Sequence, residues 1–247
     1  MPPQENRRIF VAGASGAVGR RLCRLLVADG WQATGTTRSK DKAAELAALG
    51  IEPVVVDVYD TEALRAFVRK AQPRCVIHQL TDLPPALDPA KMAEARVRNA
   101  RIREIGTRNL VAAAAAAGVR RLVAQSICFV YAPGPMPYQE ESPLNLDDPA
   151  LGSTGRAAAS LEEQVLAAPM EGIVLRYGRL YGPGTGFDKP ATRGALHVDA
   201  AADAARRAIT RGRRGIYNIA EDDGLVDNSK AITELDWKPD FRIAKPA

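Results

Sequence analysis

The chain has 247 residues, of which 26% are charged and 46% hydrophobic, with a net charge of +5. This is the composition of an ordinary globular domain, and it excludes a disordered or collagen-like chain. No apolar run approaches the about 18 residues of a bilayer span, and Met1 to Asn6 lack the apolar core of a signal peptide, so the expectation is a cytoplasmic protein with no membrane partner.

The first predicted strand is Arg8–Ala12, carried by the apolar run from Ile9. Gly13, Gly16 and Gly19 follow. The helix after them, Ala17–Asp29, has Val18, Leu22, Leu25 and Leu26 on its buried face and Gly30 at its end. Trp31–Thr36 reads as a second strand, Lys42–Leu49 as a helix closed by Gly50, and Pro53–Val58 as a third strand with Asp57 near its end. A helix over Thr61–Ala71, capped by Asp60 or Thr61, precedes a fourth strand, Cys75–Leu80. One long helix is expected from Lys91 to Ala117, then a fifth strand, Leu122–Ile127, and a Pro-rich loop, Ala132–Pro149. A helix over Gly155–Ala168 and a sixth strand, Ile173–Tyr177, complete the main alternation. Beyond Gly186 come a helix at Asp199–Thr210, a strand at Ile216–Ile219 and a helix at Ser229–Leu235. Alternating strands and helices imply an α/β fold, a doubly wound and mostly parallel sheet.

Three glycines between a first strand and a first helix suit a dinucleotide. Gly13 permits the turn, Gly16 lets backbone N–H groups reach a pyrophosphate, and Gly19 lets the helix pack closely. Ser15, Ala17 and Val18 share that loop, and the helix N-terminus adds partial positive charge. The second strand runs into Thr37-Arg38-Ser39 with no carboxylate for a ribose hydroxyl. Arg38 suits a 2′-phosphate, with hydroxyl donors from Thr37 and Ser39, which points to NADP, although NAD also fits. The arginines clustered at 96–108 and 206–214 alternate with Ala and Glu and lack interleaved aromatics. They read as solvated helix faces rather than a nucleic-acid surface. Cys23, Cys75 and Cys128 sit in apolar contexts and read as buried thiols.

In order, the pieces Gly13–Gly19, Val56-Asp57-Val58, Val76-Ile77-His78, Gly106–Ala113, Arg121–Ser126, Leu175–Gly184, His197-Val198-Asp199 and Leu235–Pro239 resemble the extended short-chain dehydrogenase/reductases of the epimerase/dehydratase group. That resemblance implies a Rossmann-type domain over 1–186 and a small substrate lobe over 187–247, interleaved with it. It also implies that Asp57 and Val58 border the adenine and that Gln79, Leu80 and Thr81 border the nicotinamide ribose. A small hydroxylated or carbonyl substrate and a homodimer built on the Ala-rich helix and Gly155–Ala168 follow from it too. The spans after Gly184 and after Ile219 are short for the group, so the lobe is either reduced or partly missing from this chain.

The chain departs from the group where proton transfer occurs. The group pairs a Tyr with a Lys four residues later. Here those places hold Thr154 and Ala158 or, one residue on, Gly155 and Ala159. The usual active-site Ser/Thr place is Ile127, with Ser126 one residue earlier, and the usual Asn is Arg103. Ser126 is the candidate catalytic residue that remains. Tyr131, Tyr138, Tyr177 and Tyr181 are phenols near the same rim, while His78 and His197 read as structural. The expectation is an oxidoreductase or epimerase with a non-standard proton donor. The alternative is a dinucleotide-binding protein without hydride transfer, such as a redox-sensing regulator.

Overall fold

The apolar run that opens the chain becomes the middle of the sheet. The computed structural model describes residues 6–244, so the Met1–Glu5 part of the stretch searched for a leader lies outside the described residues. Strand β1 (Arg8–Ala12) is followed by α1 (Ala17–Ala28), β2 (Gln32–Thr37), α2 (Lys40–Ala48), β3 (Glu52–Val55), α3 (Thr61–Ala71) and β4 (Cys75–His78). Then come α4 (Met92–Arg101), α5 (Thr107–Ala116), β5 (Arg121–Ile127), α6 (Gly152–Leu166) and β6 (Glu171–Tyr177). The chain closes with β7 (Arg179–Tyr181), β8 (Ala195–His197), α7 (Val198–Arg207), β9 (Gly215–Ile219) and α8 (Ser229–Leu235).

The large sheet has the order β3-β2-β1-β4-β5-β6-β9. All six of its pairings are parallel. Helices cover both faces, which is why β1, β4 and β6 are near-continuous apolar runs rather than alternating ones. One core layer joins the sheet to α1 and α7 through Leu22, Leu26, Ala201 and Ala205. The other joins it to α3, α5 and α6 through Leu64, Val68, Leu110, Leu161 and Val165. Asp60 caps α3 as expected, accepting from the Ala63 N–H at 3.0 Å. Helix α2 starts two residues earlier than expected, with Ser39 as its cap, accepting from the Lys42 N–H at 3.4 Å. The Rossmann-type doubly wound fold is as expected.

Several boundaries differ. The long helix 91–117 is broken. A 3-10 turn at Pro89–Lys91 leads into α4, and a π turn, Ile102–Gly106, separates α4 from α5. Arg103, in that turn, is buried instead of on a solvated face, on the same side as Ala95 and Asn99 of α4. The third strand ends at Val55, so Asp57 and Val58 lie in the turn beyond it, where the Asp57 carboxylate accepts from the Tyr59 N–H at 3.0 Å. The fourth strand ends at His78, because His78 Nδ1 accepts from the Leu80 N–H at 3.2 Å and turns the chain. Helix α6 starts three residues early, its entry held by Asp148, which accepts from the N–H groups of Ala150 and Leu151. The two-stranded parallel sheet β7–β8 is too short to read from periodicity.

The C-terminal stretch is interleaved with the main sheet: β9 is its edge strand, and α7 packs on α1. In the second arginine cluster Arg211, Arg213 and Arg214 are exposed as expected, while Arg206 and Arg207 are half-buried. Arg206 and Arg207 both pair with the fully buried Asp203, at 2.6 and 2.7 Å. Arg207 and Arg211 share Asp236, and Arg214 donates to the carbonyls of Ala168 and Met170.

Candidate functional site

A cleft of about 1290 Å³ runs along the carboxyl ends of the strands. That is more than the about 300–1,000 Å³ of an ordinary small-ligand pocket and leaves room for a long cofactor beside a substrate. Every loop that follows β1, β2, β3, β4, β5 and β6 contributes to it.

At the first turn, the three glycines have separate jobs. Gly13 has φ +87°, and a Cβ there would stand 2.6 Å from the Gln79 carbonyl oxygen. A Cβ on Gly19 would stand 2.2 Å from the Gly13 carbonyl oxygen, so α1 seats against the loop only through a glycine. Gly16 is different: it is exposed in the cleft, and the nearest atom to a Cβ there is 3.4 Å away. Gly16 is also the N-cap of α1, and no side chain caps that helix. Its first-turn N–H groups are therefore open to an anion. Thr36 holds the loop by accepting from the Gly13 N–H at 3.0 Å, and Ser15 donates to, or accepts from, Thr37 Oγ1 at 3.0 Å.

One end of the cleft is lined by Thr37, Arg38, Ser39, Lys42, Asp57, Val58 and Tyr59. Arg38 bonds Asp82 at 3.2 Å, which raises its pKa, and Arg98 reaches the same carboxylate at 3.5 Å. The Arg101 guanidinium lies 4.4 Å from the Tyr59 ring centroid. In the middle are Gln79, Leu80 and Thr81. Gln79 donates to the Tyr177 hydroxyl at 3.3 Å, while its Oε1 is buried with no hydrogen-bond partner among the described residues. An open glycine, an uncapped helix N-terminus, a cationic end and an orphaned amide oxygen all border one cleft, and together they fit a dinucleotide.

The other end contains a buried polar network. Ser126 Oγ donates to Glu162 Oε1 at 2.6 Å, and Arg176 grips the same carboxylate through both Nε and Nη2, at 2.9 and 2.7 Å. The Ser126 proton is therefore taken, leaving only its oxygen as an acceptor. Arg176 also donates to the Tyr131 hydroxyl at 2.8 Å, which in turn donates to Asn218 at 2.7 Å. Burial pushes the Tyr131 phenol up to about 12, against the pull of Arg176. Tyr177 is fully enclosed, donates to the Ala201 carbonyl, and is likewise raised by burial. Tyr138 stacks on Tyr131, with ring centroids 5.1 Å apart, and its hydroxyl makes no hydrogen bond among the described residues. Tyr181 bonds Glu221.

His78 is fully buried between the Leu80 N–H and Thr107, and burial takes its pKa down to about 4. The ring is neutral and both nitrogens are used. His197 caps α7, accepting from the Asp199 N–H at 3.1 Å. Cys128 lines the cleft but is buried, and its thiol is pushed up to about 12. Arg179 stacks on Phe129 at 4.3 Å, and Arg156 donates to the Leu146 carbonyl.

Helix α6, which carries the Thr154/Ala158 and Gly155/Ala159 places, sends no side chain into the cleft. Arg103 reaches in instead, from the π turn, and donates to the Thr154 carbonyl at 3.3 Å. Sequence reasoning placed Arg103 on the surface and missed Lys42, Tyr59 and the Glu162–Arg176 pair. An arginine within the otherwise apolar strand Ile173–Tyr177 was the available signal for that pair.

The NAD dependent epimerase/dehydratase family model matches residues 9–198. A 3-diazoavenalumate denitrifying reductase from a Streptomyces species is 40% identical over 238 residues, covering 87% of this chain and 76% of that protein. A ketoreductase from Stigmatella aurantiaca, acting on a farnesyl dihydroquinoline oxide, is 32% identical over 127 residues, covering 51% of this chain and 35% of its own length. Among solved structures, the UDP-glucose 4-epimerase of Thermotoga maritima with UDP-glucose superposes with a TM-score of 0.78 at 17% identity, covering 95% of this chain and 94% of that one. The Thermus thermophilus UDP-glucose 4-epimerase in complex with NAD gives 0.70 at 22%, covering 88% and 78%. These structural likenesses carry the fold. With the glycine turn, the parallel sheet and the family match in agreement, the chain belongs to the NAD dependent epimerase/dehydratase family and has reductases among its relatives.

Proposed function

We propose that this chain binds NADP and directs hydride transfer to a small unsaturated or aromatic substrate that needs no proton from the protein. The observation that carries this reading is the vacancy on α6. The places of the proton-transferring Tyr and Lys hold residues whose side chains do not reach the cleft. The other groups at that end are poor acids: the Ser126 hydroxyl is committed as a donor to Glu162, His78 is neutral and enclosed, and the Tyr131 and Cys128 protons are held to about pH 12.

The glycine turn and the α1 N-terminus would hold the pyrophosphate, Arg38 and Lys42 the 2′-phosphate, and Gln79 Oε1 a hydroxyl or amide donor of the nicotinamide half. Reduced nicotinamide supplies the hydride. The substrate class that dispenses with a proton donor is one bearing a good leaving group or a cationic acceptor. A diazo-bearing ring carbon that takes hydride releases dinitrogen with the electrons of the broken C–N bond, and no proton enters the step. The denitrifying reductase relative acts on a diazo compound by name, which supports this class. Carbonyl reduction is a second reading. It rests on Tyr138, whose hydroxyl has no hydrogen-bond partner among the described residues, and it has a ketoreductase relative behind it. A homodimer through the Ala-rich helical segment 91–117 (α4 and α5) and α6 belongs to the same proposal, with Val97 72% exposed on α4, and light scattering would give twice the chain mass.

The test is transfer of label. Protein is incubated with NADPH deuterated at nicotinamide C4 and a panel of aryl diazonium salts, ketones and aldehydes. Deuterium in a denitrified arene supports the first reading, and the Tyr138→Phe variant should retain that activity. Deuterium confined to alcohols and lost with Tyr138→Phe supports the second. Bound NADPH with no label in any product leaves the dinucleotide a structural or sensing role and sinks both.

A further inference from the structure

Arg103 is a buried cation without a counter-ion. It is 8% exposed, and no carboxylate lies within ion-pair distance of it among the described residues. Its one hydrogen bond is to the Thr154 carbonyl. The nearest acid that acts on it, Glu162, is already neutralised by a two-point pair with Arg176 and also accepts from Ser126. His78, the other titratable group facing it, is neutral. This end of the cleft therefore holds one largely buried positive charge with four of its five N–H donors unused, and none of its nitrogens is among the fully enclosed, unpartnered atoms, so they open to the cleft. Burial takes the Arg103 pKa down to about 10, so the charge persists at neutral pH. Such a group is costly unless something pairs with it.

Arg103 lies in the π turn, on the same inward face as Ala95 and Asn99 of α4, and it meets α6, where the group's Tyr would stand. The cofactor phosphates would be held at Gly16 and Arg38, away from Arg103. The cleft that Arg103 lines also has apolar and aromatic walls, among them Ile127, Phe129, Tyr131 and Tyr138. A planar fork of donors beside such walls matches a carboxylate on an unsaturated or aromatic skeleton better than it matches a hydrated phosphate.

We propose that Arg103 is the substrate-anchoring residue of this cleft, pairing with the carboxylate of an aromatic or unsaturated acid. This rests on the reading of the cleft as a hydride-transfer site and adds the substrate's charge to it.

The test is calorimetric titration of NADP-loaded protein with cinnamate and with cinnamamide, which share a skeleton and differ in charge. The wild-type protein should prefer the carboxylate by about ten- to a hundredfold, the range of a charged hydrogen-bonded pair. Arg103→Gln should bring that ratio to about one and leave NADP affinity within about twofold, since the phosphate sites are elsewhere. Arg103→Lys should restore part of the preference. Because the variant removes an uncompensated charge, the ligand-free Arg103→Gln protein should melt no lower than wild type. The inference fails if wild type binds the two probes equally or binds neither. It also fails if the preference survives Arg103→Gln, or if the loss falls on NADP instead. Deuterium transfer to neutral substrates without any charge preference would sink this inference and leave the hydride-transfer reading standing.

Discussion

Arg38 and Asp82 meet at 3.2 Å, where β2 and β4 hand over to the cleft, and Arg98 approaches the same carboxylate from α4 at 3.5 Å. Arg38 is thus held at the cofactor end by an acid that also competes for it. Replacing it, Arg38→Ala, should weaken NADPH binding by about ten- to a hundredfold while NADH binding changes little, because only the former offers a 2′-phosphate. Asp82→Asn should move NADPH affinity the other way by releasing Arg38. Fluorescence titration with both cofactors checks this, and equal losses for NADPH and NADH in Arg38→Ala would remove Arg38 from 2′-phosphate recognition.

Two glycines of one turn should respond differently to the same added methyl. Gly19→Ala puts a Cβ 2.2 Å from a backbone oxygen, which neither strand nor helix can yield cheaply. A loss of roughly 2–4 kcal/mol in stability is expected, in the range of core overpacking and backbone strain. Gly16→Ala meets nothing nearer than 3.4 Å and should melt with wild type, yet its methyl group projects into the space of the pyrophosphate. Its dinucleotide affinity should drop by at least about tenfold. Thermal melts with and without NADP separate the two. A Gly16→Ala protein with unchanged affinity would mean the phosphates lie elsewhere.

His78 should set an acid limit on stability. Its folded pKa, about 4, is below its ordinary 6.5, so the unfolded chain binds more protons in between. The contribution of the neutral ring is complete above pH 6.5 and is lost as pH falls through that window, amounting to about 3 kcal/mol by pH 4. Urea unfolding across pH 4–7 should show that slope. His78→Gln should be less stable at pH 7, because Leu80 and Thr107 lose a partner, but its slope should be flatter. An unchanged slope in the variant would assign the acid sensitivity to other groups.

The Glu162–Arg176 pair is structural, and Ser126 serves it. Glu162→Gln leaves Arg176 buried and uncompensated, and a cost of about 3–5 kcal/mol is expected. Ser126→Ala removes one neutral-to-charged hydrogen bond and should cost about 1–3 kcal/mol while hydride transfer persists. Denaturant midpoints and label transfer together read this out. Abolished transfer in a well-folded Ser126→Ala protein would return Ser126 to a direct catalytic role.

The fold was legible in the sequence, and so were the residues proposed to hold a dinucleotide, because their signals are local. An apolar run, three glycines at fixed spacing, an amphipathic helix and the absence of an acid after β2 all lie within about thirty consecutive residues, the span of one βαβ unit. The missing Tyr and Lys could also be read directly, since an absence at two neighbouring helix positions needs no structure to be seen. The substrate half was not legible, because its meaning is relational. Arg103 looked like one more surface arginine, because its polar chemistry masked its place on the inward helical face of Ala95 and Asn99, which α6 covers. Ser126 looked like a free hydroxyl, but it donates its hydrogen bond to Glu162, 36 residues on. Only tertiary structure decides which buried charges are matched: Arg176 finds Glu162 across 14 residues, and Arg103 finds no acid within reach. Local sequence determined where a dinucleotide would lie, and long-range packing in a low-dielectric interior decided which charge was left over at the place where a substrate would bind.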